Sequence, residues 1–590
     1  MNFAALEHRS QSPWCFPLNK KSIAVRLRTA KGDFDRVILR IGDPFDWQAE
    51  AQADNLHRWN AKFILMKLVG STDWYDWWEA EWAPPYRRAR YGFRLYRGSQ
   101  SWDFGESGLV SVSNETDPAW NSTFLYPYLH ESEVHQLPEW LKTSSWYQIF
   151  PDRFSREGEE SAPWPQGPVT NKEFYGGNLE GILAKLDYLA SLGIKGLYLT
   201  PVFESPSVHR YDTTDYERVD PRLGSKEDLQ RLVVEAHSRG LRILLDAVFN
   251  HCGNEFAPWK DVVENGPASR YVSWFHIEEF PLFAKGTDTG NRRDANFETF
   301  SFTTRMPKFR TTNPEVREYL LNIAVAWTDE LGIDGWRLDV ANEVDHEFWR
   351  EFRRRIRAVN PQAYIVGEVW LDALPWLTGD QFDGVMNYPV GFLLRDFVAD
   401  EKRTALQTVQ KLLAREMAYP RPAAEGAFNL LESHDSVRLL TFLKGRKELA
   451  KIAYFLLVLQ QGSPCFYYGS EVGLEGGDDP DNRRCMPWDS VHQDTAMLHF
   501  FKSLLNFTNQ YLSYWKEGTK IPVTFKSYPG LLAWRFTWKE KVLTTVVNRD
   551  SKSLSATKVK KLLPELLQGQ TLFGEPSDNL PAFGIRAVLL

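Results

Sequence analysis

The side chains best suited to chemistry in this sequence sit at the ends of short apolar runs. "RILLDAVF" leads to Asp246, Asn250 and His251, and "GWRLDV" (335–340) carries Arg337 and Asp339. "AYIVGEVW" (363–370) carries Glu368, and "AFNLLESHD" (427–435) ends in His434 and Asp435. If Asp339, Glu368 and Asp435 meet, three carboxylates share one space: at least one should hold a proton, while a neighbouring arginine keeps another ionised. Retaining glycoside hydrolysis needs that division. An ionised carboxylate attacks the anomeric carbon, and a protonated one gives its proton to the leaving oxygen. Taken singly, each residue has a plainer use. An Asp at a strand end commonly caps a helix, Arg337 with Asp339 could be a structural ion pair, and His251 could be a satisfied structural histidine. A series of strand ends carrying such groups in order is the stronger signal.

The elements that would bring them together are legible as an α/β (β/α)8 TIM barrel. Counting "WYQIF" as the first strand and "GLYLT" (196–200) as the second, the runs above are joined by "FDGVMNYP" (382–389) and "SPCFYYGSE" (463–471) to make eight, with helices between most of them. "NLEGILAKLDYLASLG" repeats its apolar residues at helical spacing, and "SKEDLQRLVVEAHSRG" opens on a Ser cap and closes on Gly. About sixty residues separate the third strand from the helix starting near Asn313, too many for an ordinary βα loop. They predict a small inserted domain at the face where barrel active sites lie. Before the barrel, "SIAVRLRTAKGDFDRVILRIGDPFDW", "RYGFRLYRG" and "TFLYPYL" alternate like the strands of a β-sandwich. After the last barrel helix, near Thr495 to Tyr511, "LLAWRFTW" and "KVLTTVVN" indicate an antiparallel β domain. The expected division is an N-terminal β-sandwich over 1–133, a barrel over 134–249 and 310–505, an inserted domain over 250–309 and a C-terminal β domain over 506–590.

Composition narrows the function classes. A chain of 590 residues requires several cores, and a formal charge of −7 gives no reason to expect nucleic acid or an anionic membrane as partner. No apolar run approaches the roughly 20 residues that span a bilayer. Met1 to Ser10 lacks the apolar stretch of a secretory signal, and Cys15, Cys252, Cys465 and Cys485 show no paired spacing. The expectation is a reduced, cytoplasmic setting.

"DAVFNH" (246–251), "GWRLDVANEV" (335–344), "GEVW" (367–370) and "ESHDS" (432–436) resemble, in order and spacing, the four signature segments of the α-amylase superfamily, glycoside hydrolase family 13. The resemblance implies Asp339 as nucleophile, Glu368 as acid/base and Asp435 as a third carboxylate that binds sugar hydroxyls and distorts the ring. It implies that Arg337 orients the nucleophile and that His251 and His434 bond the sugar at the cleavage site. "ANEV", "MPKF" (306–309), "GGDDPDNRR" (476–484) and the N-terminal segments "HRSQSPW" and "GDPFDW" are similar to the neopullulanase, cyclomaltodextrinase and maltogenic amylase group. From that group, "SPSVHRYDTTDY" implies that His209 and Tyr211 line the sugar site, the tyrosine lying under the pyranose ring. Asp479 and Arg483 match a pair gripping sugars further away. Glu343 and Trp370 match contacts on the leaving-group side, although Glu343 could instead start or cap a helix and Trp370 could be a core aromatic.

What the resemblance implies for function is retaining hydrolysis of α-1,4 bonds in cyclodextrins and short malto-oligosaccharides, with transglycosylation. A neopullulanase or maltogenic amylase acting on pullulan or starch is the alternative, and a non-catalytic amylase-like subunit a more remote one. The group dimerises, with the N-terminal domain of one subunit closing over the other's barrel. "STDWYDWWEAEW" could serve such an interface, a sugar platform, or packing within the sandwich. The resemblance implies no required cofactor; where the group has Asn and Asp ligands for calcium after "FPDRF", this sequence reads "SREGEE", which leaves calcium possible on only a thin set of oxygen ligands and makes Asp152 an ion-pair candidate. Leu371, Ser470 and Glu432 stand where His, Asp and Gly are commoner. None of these departures removes a catalytic carboxylate.

Overall fold

The computed structural model describes residues 1–49, 57–111, 123–156 and 164–590. The chain forms two compact units: Met1–Gln136 with Leu374–Asp380 and Leu406–Ala424, and Leu137–Ala373 with Gln381–Ala405 and Glu425–Leu590.

In the first unit the alternating runs make two antiparallel sheets. One orders its strands Cys15–Asn19, Ser22–Ala30, Tyr75–Trp82 and Lys67–Ser71. The other is built around Arg36–Gly42 and Ala89–Arg97. The turn at Gly32 carries the chain from one sheet to the other, so Ile23, Val25 and Leu27 face Val37, Leu39, Ile41 and Phe93 across one core. The aromatic run 72–82 is mostly packing: Trp78 joins that core, and Trp77 stacks on Trp14 at 5.1 Å, with Met417 in the same cluster. Trp74 alone among its tryptophans is largely exposed, at 76%.

The second unit contains the expected barrel. Its strands are β1 (Trp146–Ile149), β2 (Gly196–Leu199), β3 (Arg242–Ala247), β4 (Gly335–Leu338), β5 (Tyr364–Gly367), β6 (Gly384–Val385), β7 (Phe428–Leu430) and β8 (Ser463–Tyr467). All neighbours pair in parallel in the order β6-β5-β4-β3-β2-β1-β8-β7, and a Met386–Phe428 bridge joins the two ends. The interior is filled by large side chains, with Trp146 stacked on Tyr364 at 5.9 Å. Gly196 makes room for this: a Cβ there would lie 2.6 Å from the Trp146 ring.

Three expectations need adjustment. The run 178–193 is two helices, Leu179–Ala184 and Leu186–Leu192, because Lys185 leaves helical geometry between them. The boundary at 506 falls inside the helix Thr495–Tyr511; the first C-terminal strand begins at Thr519. That helix has the span read from the sequence, and Phe507 within it packs on Trp515 and Phe573. The third concerns the span 310–505, from which two segments, Leu374–Asp380 and Leu406–Ala424, belong to the first unit, where Leu413 and Met417 meet Trp14 and Trp77. Beyond Thr519 comes a five-stranded antiparallel sheet, and helix Ala556–Leu562 sets Val559 into the same core as its strands.

The insertion between β3 and helix Pro314–Leu331 closes on itself through an antiparallel bridge between His251 and Lys308. It carries helix Ala257–Asn265 and an aromatic core in which Trp259 meets Phe275 at 4.8 Å and Phe297 at 4.6 Å.

Candidate active site

Side chains alternate along a strand, so residues two apart share a face. On β4, Trp336 turns outward and gives its indole N–H to Thr328 Oγ1 at 2.9 Å, while Arg337 and Asp339 both turn to the barrel axis. Arg337 is fully buried and is the hub of the site. Its Nη1 donates to both oxygens of Asp246 at 2.9 Å and to Asp339 Oδ1 at 2.8 Å, and its Nη2 pairs with Glu368 Oε2 at 2.8 Å. One planar guanidinium therefore holds carboxylates from β3 and from the ends of β4 and β5. Burial alone would favour loss of the Arg337 charge, but Asp246 and Glu368 overcome it and keep the group cationic.

Asp339, Glu368 and Asp435 line one pocket of about 400 Å³, shared with His209, Tyr211, His251, Trp370, Asp479 and Arg483. Arg337 and His434 lie in the wall behind these side chains, each about 1% exposed or less. Glu343 is not among the pocket-lining residues; it is 41% exposed and ion-paired to Lys308 Nζ at 2.7 Å, and the same Nζ donates to Asn250 Oδ1 at 2.7 Å.

Crowding shows in the protonation of the site. Burial, then the Glu368 charge, push Asp435 up to about 7 against the pull of Arg337 and Arg483. Burial raises Asp339 and Asp246 as well, with Arg337 opposing in both. Four carboxylates facing Arg337 and Arg483 cannot all be ionised cheaply, so the cluster retains protons near neutral pH. The histidines go the other way. Burial takes His251 down to about 3, with Lys308 adding to it, and holds His434 and His209 below their ordinary value. They are neutral hydrogen-bonding groups.

Neighbouring geometry fixes the wall. Tyr211 donates to Asp246 Oδ2 at 2.9 Å, lies 2.5 Å from His434 Nε2, and stacks on the His434 ring with planes 4° apart. Arg210, between His209 and Tyr211, has φ 62 and is pinned by Asp220 at 2.8 Å. Val340, directly after Asp339, has φ 44, costly for a β-branched residue, and its N–H donates to Glu368 Oε2 at 3.1 Å. Trp370 donates from Nε1 to Glu368 Oε1 at 2.9 Å and stacks on Tyr388 at 3.9 Å. Arg483 ties Asp479 (2.9 Å) to the neighbourhood of Asp435 (3.6 Å).

Sequence reasoning did not single out Gln148 and Tyr198. Gln148 Nε2 lies 2.6 Å from His434 Nδ1, and Tyr198 donates to Asp246 at 2.6 Å. Their signal was a polar group inside a run otherwise apolar on both faces, which must find a buried partner. Phe300, stacked on His251 at 4.8 Å, carried no such signal.

The calcium question turns on Asp152. Its Oδ2 accepts from Arg153 Nε at 2.7 Å and Tyr175 N at 3.0 Å, and Oδ1 from Gly176 N at 3.4 Å, so both oxygens face N–H donors, which does not fit a metal ligand. Residues 157–163 of the candidate stretch lie outside the described residues. Among the described residues no cluster of His, Cys, Asp and Glu could hold a metal ion, and no helix is long and apolar enough to cross a membrane.

Known proteins share this organisation. The family description "Alpha amylase, catalytic domain" matches residues 148–516, and "Alpha amylase, N-terminal ig-like domain" matches 1–130. A cyclomaltodextrinase of Geobacillus thermopakistaniensis is 41% identical over 99% of this chain and 98% of its own. An intracellular maltogenic amylase of Bacillus subtilis is 41% identical over 88% of this chain and 86% of its own. A solved structure of a cyclomaltodextrinase, 36% identical, superposes over 100% of both chains with a TM-score of 0.88. On its fold, its pocket and these likenesses, the chain belongs to the α-amylase family, glycoside hydrolase family 13, with the catalytic domain and N-terminal Ig-like domain of that family.

Proposed function

We propose that the protein hydrolyses α-1,4-glucosidic bonds in cyclodextrins and short malto-oligosaccharides with retention of configuration, and transfers part of the product to sugar acceptors. The observation that carries the reading is Arg337, whose adjacent nitrogens hold Asp339 and Glu368 at 2.8 Å each at the base of one pocket. With Oδ1 held by Arg337, Asp339 presents its second oxygen to the anomeric carbon. Glu368, protonated in the substrate complex, gives its proton to the leaving oxygen as the C–O bond breaks and a glycosyl ester forms on Asp339. Glu368 then takes a proton from water, whose oxygen attacks the same carbon and frees Asp339. Asp435 bonds the sugar hydroxyls and helps distort the ring, with His251 and His434 beside it and the Tyr211 ring beneath. Asp479 and Arg483 hold sugars further out, and Trp370 contacts the leaving side, with Glu343 reaching it from the rim. These steps use no metal.

Preference for small and cyclic glucans is supported by the likeness to a cyclomaltodextrinase over nearly the whole of both chains. The same proposal includes a homodimer in which the N-terminal domain of one subunit narrows the cleft of the other. The intracellular relative supports a cytoplasmic setting.

The test is β-cyclodextrin hydrolysis followed by NMR. α-Configured first products are expected; β-configured ones would remove the double displacement. Glu368→Gln should lower the rate about 10²–10⁴-fold. Initial rates on β-cyclodextrin, pullulan and soluble starch decide the substrate, and fastest turnover of pullulan or starch would move the reading to a neopullulanase or maltogenic amylase.

A further inference from the structure

Asp435 lies in a tight turn after β7, closed by Ser436 N–H on Ser433 O at 3.3 Å and by Asp435 N–H on Ser433 Oγ at 3.1 Å. Ser433 and His434 are buried, so the carbonyls of this turn need partners inside the protein. Asn482, after β8 and fully buried, supplies one. Its Nδ2 donates to His434 O at 2.7 Å and to Ser436 O at 3.0 Å, and lies 3.4 Å from Ser433 O. With the amide reversed, its oxygen would face three carbonyl oxygens, so the donor side is fixed. The next residue reaches the same turn: Arg483 Nε donates to His434 O at 3.0 Å, while Nη1 pairs with Asp479 at 2.9 Å and Nη2 stands 3.6 Å from Asp435 Oδ1. The segment is held from behind as well. Arg438, fully buried, donates from Nε to Asn482 O at 2.8 Å and from Nη1 to Tyr468 O at 2.6 Å, and Arg153 Nη1 donates to Arg483 O at 3.1 Å. Gly476 lets the chain pass close by, since a Cβ there would lie 2.4 Å from Asp481 O and 2.8 Å from Asn482 Cα. Asn482 therefore stands on a fixed base with its donor inside the turn.

We propose that Asn482 is a positioning residue for Asp435: its side-chain amide fills the turn after β7 and fixes where the Asp435 carboxylate stands relative to Arg483 and the sugar pocket. The proposal rests on the reading above, in which Asp435 bonds the sugar hydroxyls. Asn482 is buried behind the pocket wall and does not line it, so it acts on turnover only through the groups it holds. That is enough to matter, because a displacement of about 1 Å at a group that orients substrate costs on the order of 10²-fold in rate.

Asn482→Leu keeps the approximate size of the side chain and removes the donor. The test is a double-mutant cycle with Asp435→Asn, read as kcat and KM on β-cyclodextrin per mole of folded enzyme. Asn482→Leu should lower kcat by about 10–100-fold, with a smaller change in KM. In the Asp435→Asn enzyme, where the carboxylate it positions is already gone, the same substitution should cost less than about 3-fold. A role confined to holding the fold together would lower the melting temperature and leave the two fold-losses equal. Equal losses, or a loss confined to KM, would overturn the proposal. Asn482→Ser, which keeps one hydroxyl donor, should lose less than the Leu variant, and it carries the same cycle if the Leu variant lacks a cooperative melt. Asp435→Asn retaining the wild-type rate would instead overturn the functional reading of that carboxylate, an outcome separate from equal losses.

Discussion

Asp435 shows what assembling the site does to the stability of the fold. Its carboxyl titrates near 7 in the folded protein, chiefly through burial and the nearby Glu368 charge, against an ordinary value of 3.8. Between those limits the folded chain holds a proton that the unfolded chain has lost. Stability therefore falls as pH rises through the window, and the loss is complete above about 7. Asp435→Asn, uncharged at every pH, should raise the melting temperature by about 1–3 °C at pH 8 and by less at pH 5. It should lower hydrolysis on the order of 10²-fold or more, since hydrogen bonds to sugar hydroxyls strengthen in the transition state. Equal melting shifts at both pH values would show that Asp435 is not the strained carboxylate. The three carboxylates were readable from sequence because each ends an apolar run, and strand ends converge in a barrel. Arg337 as common partner of Asp246 and Glu368 was not, because nothing in "GWRLD" says which neighbouring strands its fork reaches. Glu343 was placed by resemblance in contact with substrate, and the nearer cation, Lys308, takes its carboxylate at the rim.

At the scale of elements, the eight barrel strands were legible because parallel strands buried on both faces read as continuous apolar runs. The break at Lys185 was not, because the apolar spacing of 179–192 runs through it. Between β7 and β8 the two departures Glu432 and Ser470 turn out to be partners. Glu432, buried, accepts from Tyr454 Oη at 2.6 Å, from Ser470 Oγ and from Leu439 N, so the loop bearing His434 and Asp435 is tied to the end of β8. Glu432→Gly should strip three buried donors of their acceptor and destabilise by about 3–5 kcal/mol. Ser470→Asp alone should also destabilise, by setting a second carboxylate against the first. The double variant should recover a coupling of about 1.5–3 kcal/mol in a denaturation cycle. Additive losses would mean that the two positions are independent and that the contact contributes little.

At the scale of the whole molecule, chain order and packing part company. The alternating strands of the first 130 residues predict a sandwich that ends where the barrel begins, and as a fold it does. Its compact unit is larger, because Leu406–Ala424, which lies between β6 and β7 in sequence, packs into it. Leu413 and Met417 cover the Trp14–Trp77 stack, Arg26 Nη1 donates to Tyr419 O at 2.7 Å, and Arg421 pairs with Glu79 and with Glu81 at 2.9 Å. A helix of the pattern "ALQTVQKLLAREM" shows an apolar face but not its partner, which here stands more than 300 positions away, as in the Arg421–Glu79 contact at a separation of 342. The N-terminal sandwich is consequently not removable at residue 133. A chain starting at 134 would leave Leu413, Met417 and Arg421 without the residues they meet in the full chain, uncovering apolar surface that favours association. That shortened chain should accumulate as aggregate, or melt well below the full-length protein at equal concentration. The single substitution Trp77→Ala, which deletes one ring of the stack, should cost about 3–5 kcal/mol of stability. A truncated chain that stays soluble and melts at the full-length temperature would show that 406–424 holds its place without the sandwich, and that the boundary legible in the sequence is also the boundary of folding.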